Sequence, residues 1–210
     1  MKRARILLAD DHKLILEAIK NLLEPEFEVI ETVFDGRALI SRAIELNPDV
    51  IVMDISMPLL NGLDAGRQLK AALPKVKIIY LTMNQDQDII AEAIKIGATG
   101  FLVKHCAASE LRRAIRESLR GRSYVTPLVA KDMITSFLQT PLRGENPIHL
   151  TPRQREVLQL LAEGRSMKEV ACVLDVTTRT VAFHKYRMME DLKLKSNAAL
   201  IQYAVRRHIV

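Results

Sequence analysis

Apolar and polar positions alternate between two periods along the first 120 residues. Short apolar runs at Arg5–Asp10, Val29–Val33, Val50–Met53, Val76–Thr82 and Gly100–Lys104 read as strands. Between them lie stretches with helical spacing. Ile15, Ala18, Ile19 and Leu22 form one stripe, closed by Pro25. Residues 35–48 form a helix stopped at Asn47-Pro48. Leu63–Leu73 follows, then Asp86–Ile96 with Gly97 as its cap, then Ser109–Arg120 with Leu111, Ala114, Ile115 and Leu119 on one stripe. Val50–Met53 is apolar on both alternations, which suits a parallel strand covered by helices on both faces. Five such repeats predict an α/β unit, a doubly wound five-stranded parallel sheet with right-handed crossovers.

After residue 122 the pattern weakens. Residues 123–147 read as a linker with a short helix beginning near Pro127, and 140–149 concentrate Pro, Gly and Asn. Residues 148–210 change character to four short helices with explicit start signals. Thr151-Pro152-Arg153-Gln154 and Ser166-Met167-Lys168-Glu169 are capping boxes. Asp175-Val176 makes a turn before Thr177, the expected cap of a third helix running to about Asp191. The stretch 196–208 forms the fourth. Short helices around a tight turn predict a smaller all-α helix-turn-helix domain.

Composition narrows the function classes. Apolar residues at 49% and charged residues at 27% permit packed cores and argue against disorder. No apolar run approaches the ~20 residues needed to cross a bilayer, so a cytoplasmic location without membrane partners is expected. Cys106 and Cys172 have no metal-type spacing and read as reduced, packed thiols. Eleven basic against six acidic residues fall in 148–210, most of the net charge of +6. That local excess points weakly to nucleic acid.

The predicted sheet carries its chemistry on one edge. Strand ends present Asp10, Asp11, Asp54, Thr82 and Lys104 together. Clustered carboxylates invite a hard divalent cation such as Mg²⁺, and a carboxylate can itself be phosphorylated. Lys104 and Thr82 offer a charge and a hydroxyl to phosphoryl oxygens. The stretches LLADDH, VIVMDISMPLLNGLDA, IIYLTM and ATGFLVK resemble the receiver domain of two-component response regulators, a flavodoxin-like fold, over roughly 1–122. The resemblance implies that Asp54 is the phosphoacceptor, fed by a histidine kinase or a small phosphodonor. It implies that Asp10, Asp11, Asp54 and the Ser56 carbonyl hold Mg²⁺, and that Thr82, Lys104 and Phe101 contact or sense the phosphoryl group. His105 stands where many receivers have proline after the lysine, which leaves the isomer of the Lys104–His105 bond open.

Residues 150–196 resemble the LuxR/NarL/FixJ-type output domain almost throughout. By that resemblance the helix 178–190 enters the major groove of double-stranded DNA, and the last helix supplies a dimer interface. On that helix, Val181, His184, Met188 and Leu192 form an inward stripe, and Arg179, Ala182, Phe183, Tyr186 and Glu190 face outward. Expected DNA contacts are Lys168, Thr178, Arg179, Thr180, Ala182, Phe183, Lys185, Tyr186, Arg187 and Lys195, several of them positioning contacts to phosphates. The expected whole is a transcription factor, not a turnover enzyme. Its phosphorylation at Asp54 switches homodimerisation, binding to paired half-sites and engagement of RNA polymerase. An aspartyl-nucleophile phosphatase is the rival reading, opposed by Ser56 where such enzymes carry a second acid. A phosphorylation-independent DNA binder is a third.

Overall fold

The computed structural model describes residues 3–83, 86–105, 108–127 and 150–210. The chain divides into two compact units. The first alternates β1 (Arg5–Ala9), α1 (Lys13–Leu23), β2 (Glu28–Val33), α2 (Gly36–Leu46), β3 (Val50–Met53) and α3 (Gly62–Ala72). It continues with β4 (Lys77–Thr82), α4 (Gln87–Ile96), β5 (Gly100–Val103), α5 (Ala108–Leu119) and β6 (Tyr124–Val125). The sheet is parallel throughout, in the order β2-β1-β3-β4-β5-β6.

The strand count is a correction, six where five were expected. Tyr124 N–H donates to Thr99 O at 2.9 Å and Thr126 N–H to Phe101 O at 3.1 Å, which adds a two-residue strand to the β5 edge. Two residues carry no readable periodicity, and they lie in the stretch read as linker. Beyond Pro127 itself, the short helix expected to begin there falls outside the described residues.

Every residue of β3 and β5 is buried, the signature of strands covered on both faces. Ile6, Leu8, Val50, Val52, Ile79, Leu81 and Leu102 pack on one side against Leu16, Ile19 and Leu23 of α1 and Leu111, Ala114 and Ile115 of α5. The other alternation, including Leu7, Ile51, Tyr80 and Phe101, faces the opposite side, and Tyr80 Oη donates to Gly62 O of α3 at 3.2 Å. The α1 stripe is rotated from expectation. Leu16, Ile19 and Leu23 are buried, whereas Ala18 is exposed, because the larger leucines take the inward positions. Local stops behave as their chemistry requires. Asp35 caps α2 by accepting from Arg37 N–H and Ala38 N–H, and Asn47 leaves that helix in the left-handed region. Gly97, at φ 92°, ends α4.

The second unit contains α6 (Pro152–Ala162), α7 (Met167–Leu174), α8 (Thr178–Asp191) and α9 (Asn197–Arg206). Both capping boxes form, and Thr177 and Ser196 cap α8 and α9. Asp175, at φ 51°, turns the chain between α7 and α8. Val157, Leu158, Val170, Leu174, Val181, Met188, Leu200 and Ala204 make this unit's core. Among the described residues no helix is long and apolar enough to cross a membrane.

Candidate functional site

β1 and β3 are neighbours in the sheet, and α1 and α3 leave them toward opposite faces, so a crevice opens beyond their carboxyl ends. Asp10 follows β1 directly, Asp54 follows β3 and Lys104 follows β5. The three meet. Lys104 Nζ lies 2.7 Å from Asp10 Oδ2 and 2.7 Å from Asp54 Oδ2, and all three side chains are almost fully buried. The other Asp54 oxygen accepts the Ile55 N–H at 2.7 Å.

Burial pushes the Asp54 carboxyl above the usual carboxylate range, against the hydrogen bond and charge of Lys104 and the Ile55 amide. For Lys104, burial alone favours the neutral amine. The hydrogen bonds and charges of Asp10 and Asp54 outweigh it and raise the ammonium above its ordinary value. The crevice therefore holds a charged lysine between two carboxylates.

Asp11 is exposed and reaches the group through His12, whose Nδ1 lies 2.7 Å from Asp11 Oδ1 and 3.1 Å from Asp10 Oδ1. The Asp11 charge, then the Asp10 hydrogen bond, raise the imidazole above its ordinary value. Ligand atoms of Asp10, Asp11 and His12 all fall within 4.8 Å of one another. Oxygens of Asp10, Asp11 and Asp54 suit a hard divalent cation, which favours oxygen donors and keeps several waters. Thr82 is buried at the end of β4, and its carbonyl accepts the Lys104 N–H at 2.8 Å. Phe101 is fully buried on β5, paired with Tyr80, so it shares a sheet face with Thr82. Ser56 is exposed in the loop after Asp54. No peptide bond among the described residues is cis, so Lys104–His105 is trans.

The second constellation is α8. Thr178, Arg179, Phe183, Tyr186 and Arg187 are exposed on it, as are Lys168 on α7 and Lys195 before α9. Two aromatic rings on one helix surface, 65% and 59% exposed for Phe183 and Tyr186, contribute nothing to this unit's core. Thr180 and Ala182 are half-buried, and the Thr180 hydroxyl lies 2.9 Å from that of Thr177. Arg187 pairs within its own helix with Glu190 and Asp191, at 3.6 and 3.4 Å.

Residues 6–116 match the response regulator receiver domain, and residues 149–204 match the luxR family of bacterial regulatory proteins. The chain belongs to the LuxR-type response regulators. It is a DNA-binding transcription regulator built from a receiver and an output domain, not a turnover enzyme on an external substrate. The oxygen regulatory protein NreC of Staphylococcus carnosus is 31% identical over 98% of this chain and 99% of its own. The transcriptional regulatory protein DegU of Brevibacillus brevis is 30% identical over 97% and 94%. Among solved structures, the response regulator RcsB of Salmonella typhimurium aligns with TM-score 0.64 at 27% identity, covering 97% of each chain. A structure of RcsB from Salmonella enterica serovar Typhimurium, bound to a promoter with the phosphomimetic BeF₃⁻, aligns with TM-score 0.62 at 27% identity, over 96% of this chain and 98% of that one.

In this regulator the strand-end reading brings Asp10, Asp54 and Lys104 into direct contact, with Thr82 and Asp11 beside them. His12 was missed as a neighbour, although its position next to the acid pair was a visible signal. Two expectations are corrected. Lys185 is buried, not exposed with the expected DNA contacts, because it lies one helical turn from both Val181 and Met188. Cys172 is an exposed free thiol where a packed one was expected, and Cys106 lies outside the described residues.

Proposed function

We propose that Asp54 is the phosphoacceptor of this response regulator and that its phosphorylation raises affinity for paired DNA half-sites. The observation that carries the reading is the Lys104 ammonium lodged 2.7 Å from both Asp54 and Asp10. An Asp54 oxygen attacks the phosphorus of a phosphohistidine in a kinase, or of a small P–N phosphodonor such as phosphoramidate. The P–N bond breaks, an acyl phosphate forms, and the departing nitrogen takes a proton. Lys104 then faces the phosphoryl oxygens instead of a bare carboxylate, and Thr82 supplies a hydroxyl donor. Asp10, Asp11, Asp54 and the Ser56 carbonyl would hold Mg²⁺, which neutralises charge on the transferring group.

The new charge biases a two-state receiver through Thr82 and Phe101, which share a face of β4 and β5. The favoured conformer dimerises. Two copies of α8 then read half-sites through Arg179, Phe183 and Tyr186, with Lys168, Thr178, Thr180, Arg187 and Lys195 on phosphates and Ala182 close to the bases. RNA polymerase is the downstream partner. The test is incubation with phosphoramidate and Mg²⁺, followed by a phosphate-retarding gel beside Asp54→Ala. A retarded band absent from the variant is expected. A band that persists in Asp54→Ala, or no band at all, overturns the assignment.

A further inference from the structure

We propose that the output unit carries a second ligand site, a cleft that takes a small organic anion with an apolar body. The cleft, ≈ 330 Å³, lies between the end of α6, the start of α7, the inner face of α8 and the first turn of α9. Leu161, Met167, Leu200 and Ile201 give it apolar walls, and Arg165 and Lys185 give it charge. No carboxylate is among its lining residues.

Lys185 is the unusual member. The residue as a whole is 91% buried, and among the described residues its ammonium has no hydrogen bond or ion pair; it lies 5.4 Å from the centroid of the Tyr186 ring. Its stem packs on the Val181–Met188 stripe, where an apolar side chain would suit, and its ammonium opens into the cleft, where an anion can meet it. The first turn of α9 adds positive potential, since it contains no acidic residue and its Asn197 lines the cleft. Arg165 is partly engaged by Glu163 at 3.4 Å, so Lys185 is the principal anchor. Four apolar walls beside one cation select an amphiphilic carboxylate over a bare, strongly hydrated phosphate.

Octanoate and the uncharged octanol are the probes, titrated into the full-length protein and followed by amide chemical shifts. Saturable octanoate shifts at Ser166, Asn197 and Leu200 are expected, with octanol weaker by about tenfold or more, as for loss of a charge-assisted contact. Lys185→Met keeps an apolar, helix-compatible side chain, and should weaken octanoate to the level of octanol while leaving octanol unchanged. Arg165→Gln should weaken octanoate less. Equal binding of the two probes to both proteins would mean a merely greasy cleft and overturn the proposal. So would octanoate shifts confined to Arg179 and Phe183, or none at all. Inorganic phosphate, run in parallel, should not saturate these amides; if it binds as tightly as octanoate, the ligand class is wrong.

Discussion

Replacing Lys104 with Met removes a cation from between two carboxylates without removing much volume. Two charge-assisted hydrogen bonds of 2.7 Å are lost, in a place where the three side chains are 3–6% exposed. Each such bond is worth about 1.5–3 kcal/mol net. Both Asp oxygens touched the same nitrogen, so they stand no more than twice 2.7 Å apart. At that separation two bare carboxylates repel by about 3 kcal/mol at an effective dielectric near 20. Relief of the buried ammonium and partial protonation of one acid offset part of this. The expected net loss is the ~3–5 kcal/mol typical of breaking one side of a buried ion pair.

The two units need not unfold together, so the assay should read the receiver locally. Hydrogen exchange of peptides covering β1, β3 and β5 does that. The loss corresponds to roughly two to three and a half powers of ten in the exchange rate of their best-protected amides. Peptides of α7 and α8 should be unchanged. Asp54→Asn in the Lys104→Met background should recover part of the protection, a coupling of about 1–3 kcal/mol. Added Mg²⁺ should narrow the gap to wild type, because the acids regain a cation. A rate change below about tenfold, with no coupling to Asp54, would refute the idea that Lys104 holds the crevice together.

Three further outcomes are expected. Phe183→Ala and Tyr186→Ala should each weaken DNA binding by about tenfold or more in fluorescence anisotropy, with stability changed by no more than about 0.5 kcal/mol; a ring whose loss lowers stability but not affinity is a packing group. Gly62→Ala would place a Cβ 2.2 Å from the Asp54 carbonyl oxygen, so the loop after β3 must shift. A cost of about 1–3 kcal/mol and slower phosphorylation by phosphoramidate should follow, and wild-type values for both would contradict the close approach. Glu26 is held below the usual carboxylate range by its hydrogen bond to Arg116, so its contribution is present at neutral pH and lost as pH falls through that lowered value. The pair is substantially exposed and is worth at most about 1 kcal/mol; urea midpoints of wild type and Glu26→Gln should converge in acid, and a difference that grows there is the wrong sign.

Most of the receiver was legible because period and punctuation agree in it. An apolar run in a β/α repeat can end in only one place, so the residue after it lands on the carboxyl edge. That is why the sequence alone brings Asp10, Asp54 and Lys104, drawn from three strands, to one edge. The helix caps of the second unit were legible for a similar reason: a Thr or Ser with Gln or Glu three residues on states both the start and its hydrogen bonds. What escaped notice lacked such redundancy. β6 is two residues long and exists only because β5 offers an unpaired edge. The α1 stripe could be drawn through Ala18 or through Leu16 and Leu23, and side-chain size decided it.

The two buried lysines show where that limit lies. Lys104 was found because a strand fixes its end residue to an edge, and the opposite charges there made its role readable. Lys185 sits in mid-helix, where His184 and Lys185 are both within reach of the stripe through Val181 and Met188, and charge favoured placing the lysine outside. The structure buries Lys185 and leaves His184 half-exposed. A charge on an inward stripe contradicts the local pattern, and such contradictions concentrate at functional positions rather than in plain cores. For Lys104 the compensation is visible in two carboxylates. For Lys185 the described residues supply no carboxylate, and its ammonium opens into a cleft where a ligand anion can meet it.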